Sequence, residues 1–259
     1  GGSATTNNST SDGTTVNISD SKITTTGDNA GGIMTTGGGK TVASNLTINT
    51  SGTSSAAIRT DRGGGTVTVD KGTYTTKGQG SPTVYSTADV TVNNADLIAE
   101  ASEGIVIEGA NSVTLNTCNL TDNNTKLNGQ STTYKNIFLY QSMSGDASNG
   151  TAKFTAKDSN ILTNKGDSFY ITNTTATINL TNPTGTYGNM SLNDNKSITY
   201  TLKKFMDGID KFIFSEKFSD KVTLQKSVYM LPASSIYYED NFADENGKTL
   251  IKYGDGWDI

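Results

Sequence analysis

A short unit recurs along most of this chain: an alternating strand, an Asn/Asp/Gly turn, a second strand, a polar turn, then an apolar third strand. Val16, Val42, Val67, Val90 and Val113 open successive first strands, at spacings of 26, 25, 23 and 23 residues by subtraction. Ile33, Ile58, Val84, Ile105, Ile137 and Phe169 form a second ladder in the third strands. A period of roughly 20–50 residues built from strands and turns denotes a solenoid, whose units bury a continuous core only by stacking. The expectation is an all-β fold of parallel coils, with each ladder on one inward line.

Composition agrees once the repeat is recognised. Only 32% of the 259 residues are hydrophobic, which in an aperiodic chain would point to disorder. A solenoid needs only a thin apolar line per coil. With 28 Gly and 3 Pro, the chain is rich in residues for positive-φ corners and poor in those that interrupt ladders. A net charge of -5 speaks against nucleic acid and against an anionic membrane surface. No apolar run is long enough for a membrane-spanning helix. The start at Gly1-Gly-Ser3 carries no signal-peptide pattern and reads as a trimmed chain.

Residues 1–13 read as a flexible linker, 14–195 as the coils, and 196–259 as a C-terminal cap or the opening of a second β-rich module. After about residue 195, Lys, Phe, Tyr, Met and Asp replace Thr, Asn and Gly. Leu202, Phe205, Met206, Ile209, Phe212 and Ile213 fit a helical stripe or a strand equally well. The fifth coil is long, because Val113 and Phe154 are 41 residues apart by subtraction. The surplus falls in two polar stretches, 121–134 and 142–150, where insertions would make loops.

The chemistry available is narrow. With no His, Ser-His-Asp catalysis and imidazole bases are excluded, and Cys118 is alone and reads as core filler. No P-loop, nucleophile elbow, zinc spacing or dinucleotide fingerprint is present. The only two arginines, Arg59 and Arg62, flank Asp61. Side chains alternate along a strand. The residue after each third-strand ladder position should therefore face outward: Met34, Arg59, Tyr85, Val106, Phe138 and Tyr170. A second outward row should hold Thr36, Asp61, Thr87, Glu108, Tyr140 and Thr172. Aromatic rings on a flat face can stack on pyranose rings, while Arg and carboxylates bind hydroxyls or acidic groups. Arg59, Asp61, Tyr85, Glu108, Phe138, Tyr140 and Tyr170 are thus the candidate ligand-binding set. Asp28, Glu103 and Asp167 precede third strands in different coils and are candidate Ca²⁺ ligands through oxygen. Thr-x-Thr pieces raise ice binding, but positions taken as equivalent (Asn17, Ala43, Thr91, Thr114) vary too much for a regular array.

Three segments, Ala57-Ile-Arg-Thr-Asp-Arg-Gly-Gly-Gly65, Val90-Thr-Val-Asn-Asn-Ala-Asp-Leu97 and Glu103-Gly-Ile-Val-Ile-Glu-Gly109, resemble parallel β-helix proteins of the pectin-lyase type. The likeness is greatest to non-enzymatic, carbohydrate-binding surface proteins of anaerobic Gram-positive bacteria. The resemblance implies a right-handed, single-stranded parallel β-helix, export to the cell surface, and a polysaccharide or host glycan as partner within a larger adhesin. It equally admits a polysaccharide lyase or glycoside hydrolase, or a structural stalk, because this fold hosts all three.

Overall fold

The computed structural model describes residues 14–127, 133–142 and 147–187, and the backbone of strands at 189–192, 198–203, 213–214 and 222–224. Every regular element among them is a strand and every pairing is parallel. Coil 1 contains β1 (Thr15–Ser19), β2 (Lys22–Thr25) and β3 (Ile33–Thr35); coil 2 contains β4 (Gly39–Thr50) and β5 (Ile58–Thr60). Coil 3 is β6 (Gly65–Thr76) and β7 (Val84–Ser86); coil 4 is β8 (Asp89–Asn93), β9 (Asp96–Ala99) and β10 (Ile105–Glu108). Coil 5 is β11 (Ser112–Asn116), β12 (Asn119–Asp122) and β13 (Lys135–Tyr140); coil 6 is β14 (Thr151–Lys157), β15 (Asn160–Thr163) and β16 (Asp167–Thr172). Coil 7 is β17 (Thr175–Thr181), β18 (Thr184–Thr186) and β19 (Asn189–Leu192). The result is a parallel β-solenoid of about seven turns.

Each coil presents a first, a second and a third face. The first two form one sheet, joined because β4 and β6 run 12 residues around their shared corner; the third face is a separate eight-stranded sheet. The corner works by a repeated left-handed residue: Asp20, Asn45, Lys71, Asn94, Thr117, Asp158 and Asn182 all have φ between 48° and 61°. Asn and Asp tolerate this conformation. Stacked on neighbouring coils they also bond to each other, as Asn45 Nδ2 does to Asp20 Oδ1 (2.7 Å) and Asn182 Nδ2 to Asp158 Oδ1 (2.8 Å). Side-chain amides thus add to the backbone bonds that already link coils at this turn, such as the Asp20 amide to the Ser44 carbonyl at 3.0 Å.

The interior is a set of apolar ladders. Ile33, Ile58, Val84, Ile105, Ile137 and Phe169 pair in one register down the third face. Tyr74, Leu97, Leu120 and Ile161 do the same on the second face, and all four are fully buried. Burying such side chains contributes about 1.5–3 kcal/mol each, and the ladders convert one thin line per coil into a continuous core.

The first-face ladder corrects the expected one. Val42 pairs with Thr68 and Asn17, while Thr41 occupies the inward line between Val16 and Val67. A one-residue slip moves a strand residue to the opposite face. In β4, Gly39 stands opposite Gly65, so the inward residues are Thr41 and Ala43 and Val42 faces out. Val16 keeps its inward register but is 48% exposed, because no described coil lies beyond it. The same register revises the outward threonine row: Ala43 points inward, and Thr68, Thr91, Thr114 and Thr155 are four consecutive neighbours. The flanking rows carry Lys40, Asp89 and Lys153 on one side and Asp70 and Lys157 on the other, so the face is not a uniform threonine array.

The fifth coil closes despite its insertions, with Val113 beside Phe154 and Leu120 beside Ile161. Both insertions leave from the ends of the third face. Parallel stacking runs across the expected 195/196 boundary: β20 (Ile198–Lys203) pairs with β17, β21 (Ile213–Phe214) with β19, and β22 (Val222–Leu224) with β20. Residues 1–13, the rest of the proposed helical stripe and the proposed C-terminal module lie outside the described residues.

Candidate functional site

The third face presents the expected outward row in register: Met34, Arg59, Tyr85, Val106, Phe138 and Tyr170 are successive neighbours on β3, β5, β7, β10, β13 and β16. Inward Ile, Val and Phe at alternate positions anchor the strands, which fixes the intervening residues outward. Met34 is 60% exposed at the first coil, and the remaining row members other than the buried Val106 are half-buried. Steps between coils are about 4.8 Å, so Tyr85 and Phe138 stand about 10 Å apart with Val106 between them.

The side chains of this row form a connected ribbon. Arg59 Nη2 donates to Asp61 Oδ2 at 2.8 Å, and its guanidinium lies 5.5 Å from the Tyr85 ring centroid. The Tyr85 hydroxyl donates to Glu108 Oε2 at 2.5 Å and sits 3.2 Å from the Tyr140 hydroxyl. Tyr140 also donates to Glu108 Oε2, at 3.1 Å, and the Ser142 hydroxyl donates to Oε1. Phe138 stacks on Tyr140 at 4.5 Å and meets Tyr170 edge-on at 5.8 Å. Lys135 Nζ lies 4.6 Å from the Phe138 centroid and 4.7 Å from that of Tyr170. Two cations, four aromatic rings and two carboxylates therefore share one face.

The electrostatics follow from partial burial. Burial, joined by Tyr140 and the Glu108 carboxylate, holds the Tyr85 phenol far above its ordinary range. Burial lowers Lys135 from its usual value, against the opposing pull of Glu103 and Asp167.

Seven residues were singled out as ligand-binding. Arg59, Asp61, Tyr85, Glu108, Phe138, Tyr140 and Tyr170 all fall on this face, but their roles divide. Glu108 is 1% exposed, with both oxygens accepting hydroxyls. Asp61 accepts from Arg59 and from the Arg62 amide. These two carboxylates order the face from beneath or beside it, and each already holds its partners. Phe138, Tyr140 and Tyr170 supply ring surface. Thr87 leaves its expected row: β7 ends at Ser86, and Thr87 is buried with its amide donating to Thr60 Oγ1 at 2.7 Å.

The candidate metal residues are distributed along the rod. Asp28 is exposed in coil 1 and accepts from the Thr53 amide; Glu103 is buried in coil 4 and accepts from Ser102; Asp167 is buried in coil 6. Coils 1 and 4 are about 14 Å apart. Among the described residues no group of three or more His, Cys, Asp or Glu side chains is placed to hold a metal ion. Two participants escaped the sequence reading: Lys135, which lies outside the alternating rows, and Ser142, which belongs to an insertion. The pairing Lys135 to Asp167, two residues ahead of the Ile137–Phe169 ladder, is the signal that would have located the first.

The chain matches no protein-family model, no curated protein and no solved structure. The fold and the geometry of the third face are therefore the basis for any functional reading. No helix among the described residues is long and apolar enough to cross a membrane.

Proposed function

We propose that this protein is a non-catalytic carbohydrate-binding solenoid, exported to the cell surface as part of a larger adhesin, that holds an extended polysaccharide or host glycan along its third face. The observation that carries the reading is the ring set Tyr85, Phe138, Tyr140 and Tyr170, fixed on one flat face by a strand register that varies little from coil to coil. Phe138 and Tyr170 offer ring surface to the apolar side of a sugar, and Lys135 beside them suits an acidic residue of the glycan. The ring spacing of about 10 Å along the rod is of the order of a disaccharide repeat. The likeness in sequence to pectin-lyase-type surface proteins agrees with this ligand class.

The engagement of Asp61 and Glu108 favours binding over hydrolysis, since acid/base work requires carboxyls free to exchange protons. Arg59 is held by Asp61 against the Tyr85 ring, a placement that suits contact with a ligand. A printed array of plant polysaccharides and host glycans, probed with the full chain, tests the reading; incubation of the same polymers with the protein should yield no cleavage product.

A further inference from the structure

At the corner between the second and third faces, one inward position is threonine in most coils: Thr25, Thr50, Thr76 and Thr163. Thr50 Oγ1 donates to the Ser55 carbonyl at 2.6 Å, Thr25 bonds the Ala30 carbonyl in the same way, and Thr163 meets the Ser168 hydroxyl at 2.7 Å. In coils 1, 2 and 6 a hydroxyl at this place ties the turn to a group five residues on, whereas the buried Thr76 hydroxyl of coil 3 has no such partner. Coil 4 has Ala99 there and coil 5 has Asp122.

Asp122 is wholly buried, and neither carboxylate oxygen has a hydrogen-bond partner. Its Oδ1 lies against Gly104, where an added Cβ would come within 1.8 Å of it. Gly104 in turn donates its amide to the Asn136 carbonyl at 2.8 Å. The Asn136 side chain, fully buried, donates to the Lys165 and Asp167 carbonyls and leaves Oδ1 without a partner. Asn124, two residues beyond Asp122, donates its amide to the Lys135 carbonyl and likewise leaves Oδ1 unpartnered and buried.

Three side chains of coil 5, on β12, the following turn and β13, thus carry four unpartnered buried oxygens, and all four are acceptors. Buried acceptors without donors cost about 1–3 kcal/mol each, and more when charged. Lys135, the ammonium of this corner, is committed to the rings of Phe138 and Tyr170 on the outer face. Complete burial, joined by the nearby Glu103, pushes the Asp122 carboxyl well above the usual carboxylate range. Carboxylate and amide oxygens, with no nitrogen or sulfur, are the donor set of a hard cation. A donor set that includes neutral amide oxygens suits calcium better than magnesium, which demands near-octahedral geometry and retains its waters.

We propose that Asp122, Asn124 and Asn136 form a structural calcium site that joins coils 4, 5 and 6 at the base of the long fifth-coil insertion. The donor set is distinct from the Asp28, Glu103 and Asp167 carboxylates read from sequence, because it rests on one carboxylate and two amides. Its role is to supply in coil 5 a tie like the one threonine supplies in coils 1, 2 and 6.

The test is thermal unfolding of the full chain after metal removal with EDTA, with calcium chloride or magnesium chloride added back, on wild type, Asp122→Asn and Asp122→Thr. Calcium at about one hundred times its dissociation constant should raise the wild-type Tm by about 5–10 °C. Both variants should lose that response, and in EDTA Asp122→Asn should unfold close to wild type, because burial pushes the Asp122 carboxyl well above its usual range and the amide keeps its shape. Metal analysis of dialysed wild type should find about one calcium per chain, as a single cage of this kind holds. A wild type indifferent to calcium would show that protonation or buried water satisfies Asp122 and would overturn the proposal. So would an undiminished calcium response in Asp122→Asn, or a response to magnesium alone. If both variants fail to fold, the wild-type calcium response and metal content decide the matter.

Discussion

The Tyr85 hydroxyl donates to Glu108 Oε2 at 2.5 Å, joining coil 3 to a carboxylate buried in coil 4. The bond makes Tyr85 both a surface ring and a structural pin. A hydrogen bond to a charged group contributes about 1.5–3 kcal/mol. Tyr85→Phe should therefore lower stability by about that amount while leaving the ring in place. Urea unfolding checks it: the midpoint should fall with an unchanged m-value, and a loss near zero would mean that Tyr140 and Ser142 alone satisfy Glu108.

The same bond sets a pH dependence. Burial and Glu108 keep the Tyr85 phenol protonated in the folded state far above the ordinary tyrosine range. In the unfolded chain it ionises near pH 10. Above that pH the folded state holds one more proton than the unfolded state, so stability falls as pH rises, by about 1.4 kcal/mol per pH unit for this group. Below pH 10 the contribution is fully present. Tyr85→Phe should show a shallower decline between about pH 10 and 11.5 than wild type; parallel curves would contradict the assignment.

Thr117 is exposed and sits at the left-handed corner with φ 54°, where the other coils have Asn or Asp except for Lys71 in coil 3. A β-branched residue bears a cost of about 1–2 kcal/mol in that conformation. Thr117→Asn should relieve part of it and bond to the stacked corner residues, raising stability by about 0.5–1 kcal/mol. A melting curve suffices, and a lower Tm would refute the corner account.

Gly104→Ala would set a methyl within 1.8 Å of Asp122 Oδ1. Overpacking of this kind costs about 1–3 kcal/mol. The cost should shrink in an Asp122→Ala background, because the clash is with that carboxylate. A double-mutant cycle with no coupling would place the Asp122 side chain elsewhere.

Much of this was legible in the sequence, for identifiable reasons. The third-face ladder could be read directly, since Ile33 through Phe169 keep both apolar character and register. The outward row follows from it by alternation alone. The first-face ladder could not be read as fully: Val42 looks like Val67 and Val90, and only pairing shows that Thr41 takes the inward place. Asp122 was invisible because an Asp beside Asn-Asn-Thr resembles a solvated turn, and burial at the end of β12 depends on a coil 41 residues long. Glu108 was placed on the correct face but read as a free ligand group. The two hydroxyls that bury it come from coils 3 and 5 and the third from an insertion, and no local pattern announces them.

The central claim is that the Phe138–Tyr170 surface binds carbohydrate. The most direct measurement compares wild type with a Phe138→Ala/Tyr170→Ala variant on the same array of plant polysaccharides and host glycans, with melting curves for both proteins. Stacked rings contribute about 1–2 kcal/mol together beyond area burial, and lost contact area adds to this. The account predicts wild-type binding to at least one extended glycan, weakened at least about tenfold in a variant that still unfolds cooperatively. Wild type that binds none of the glycans, or a folded variant that binds as tightly as wild type, would contradict it.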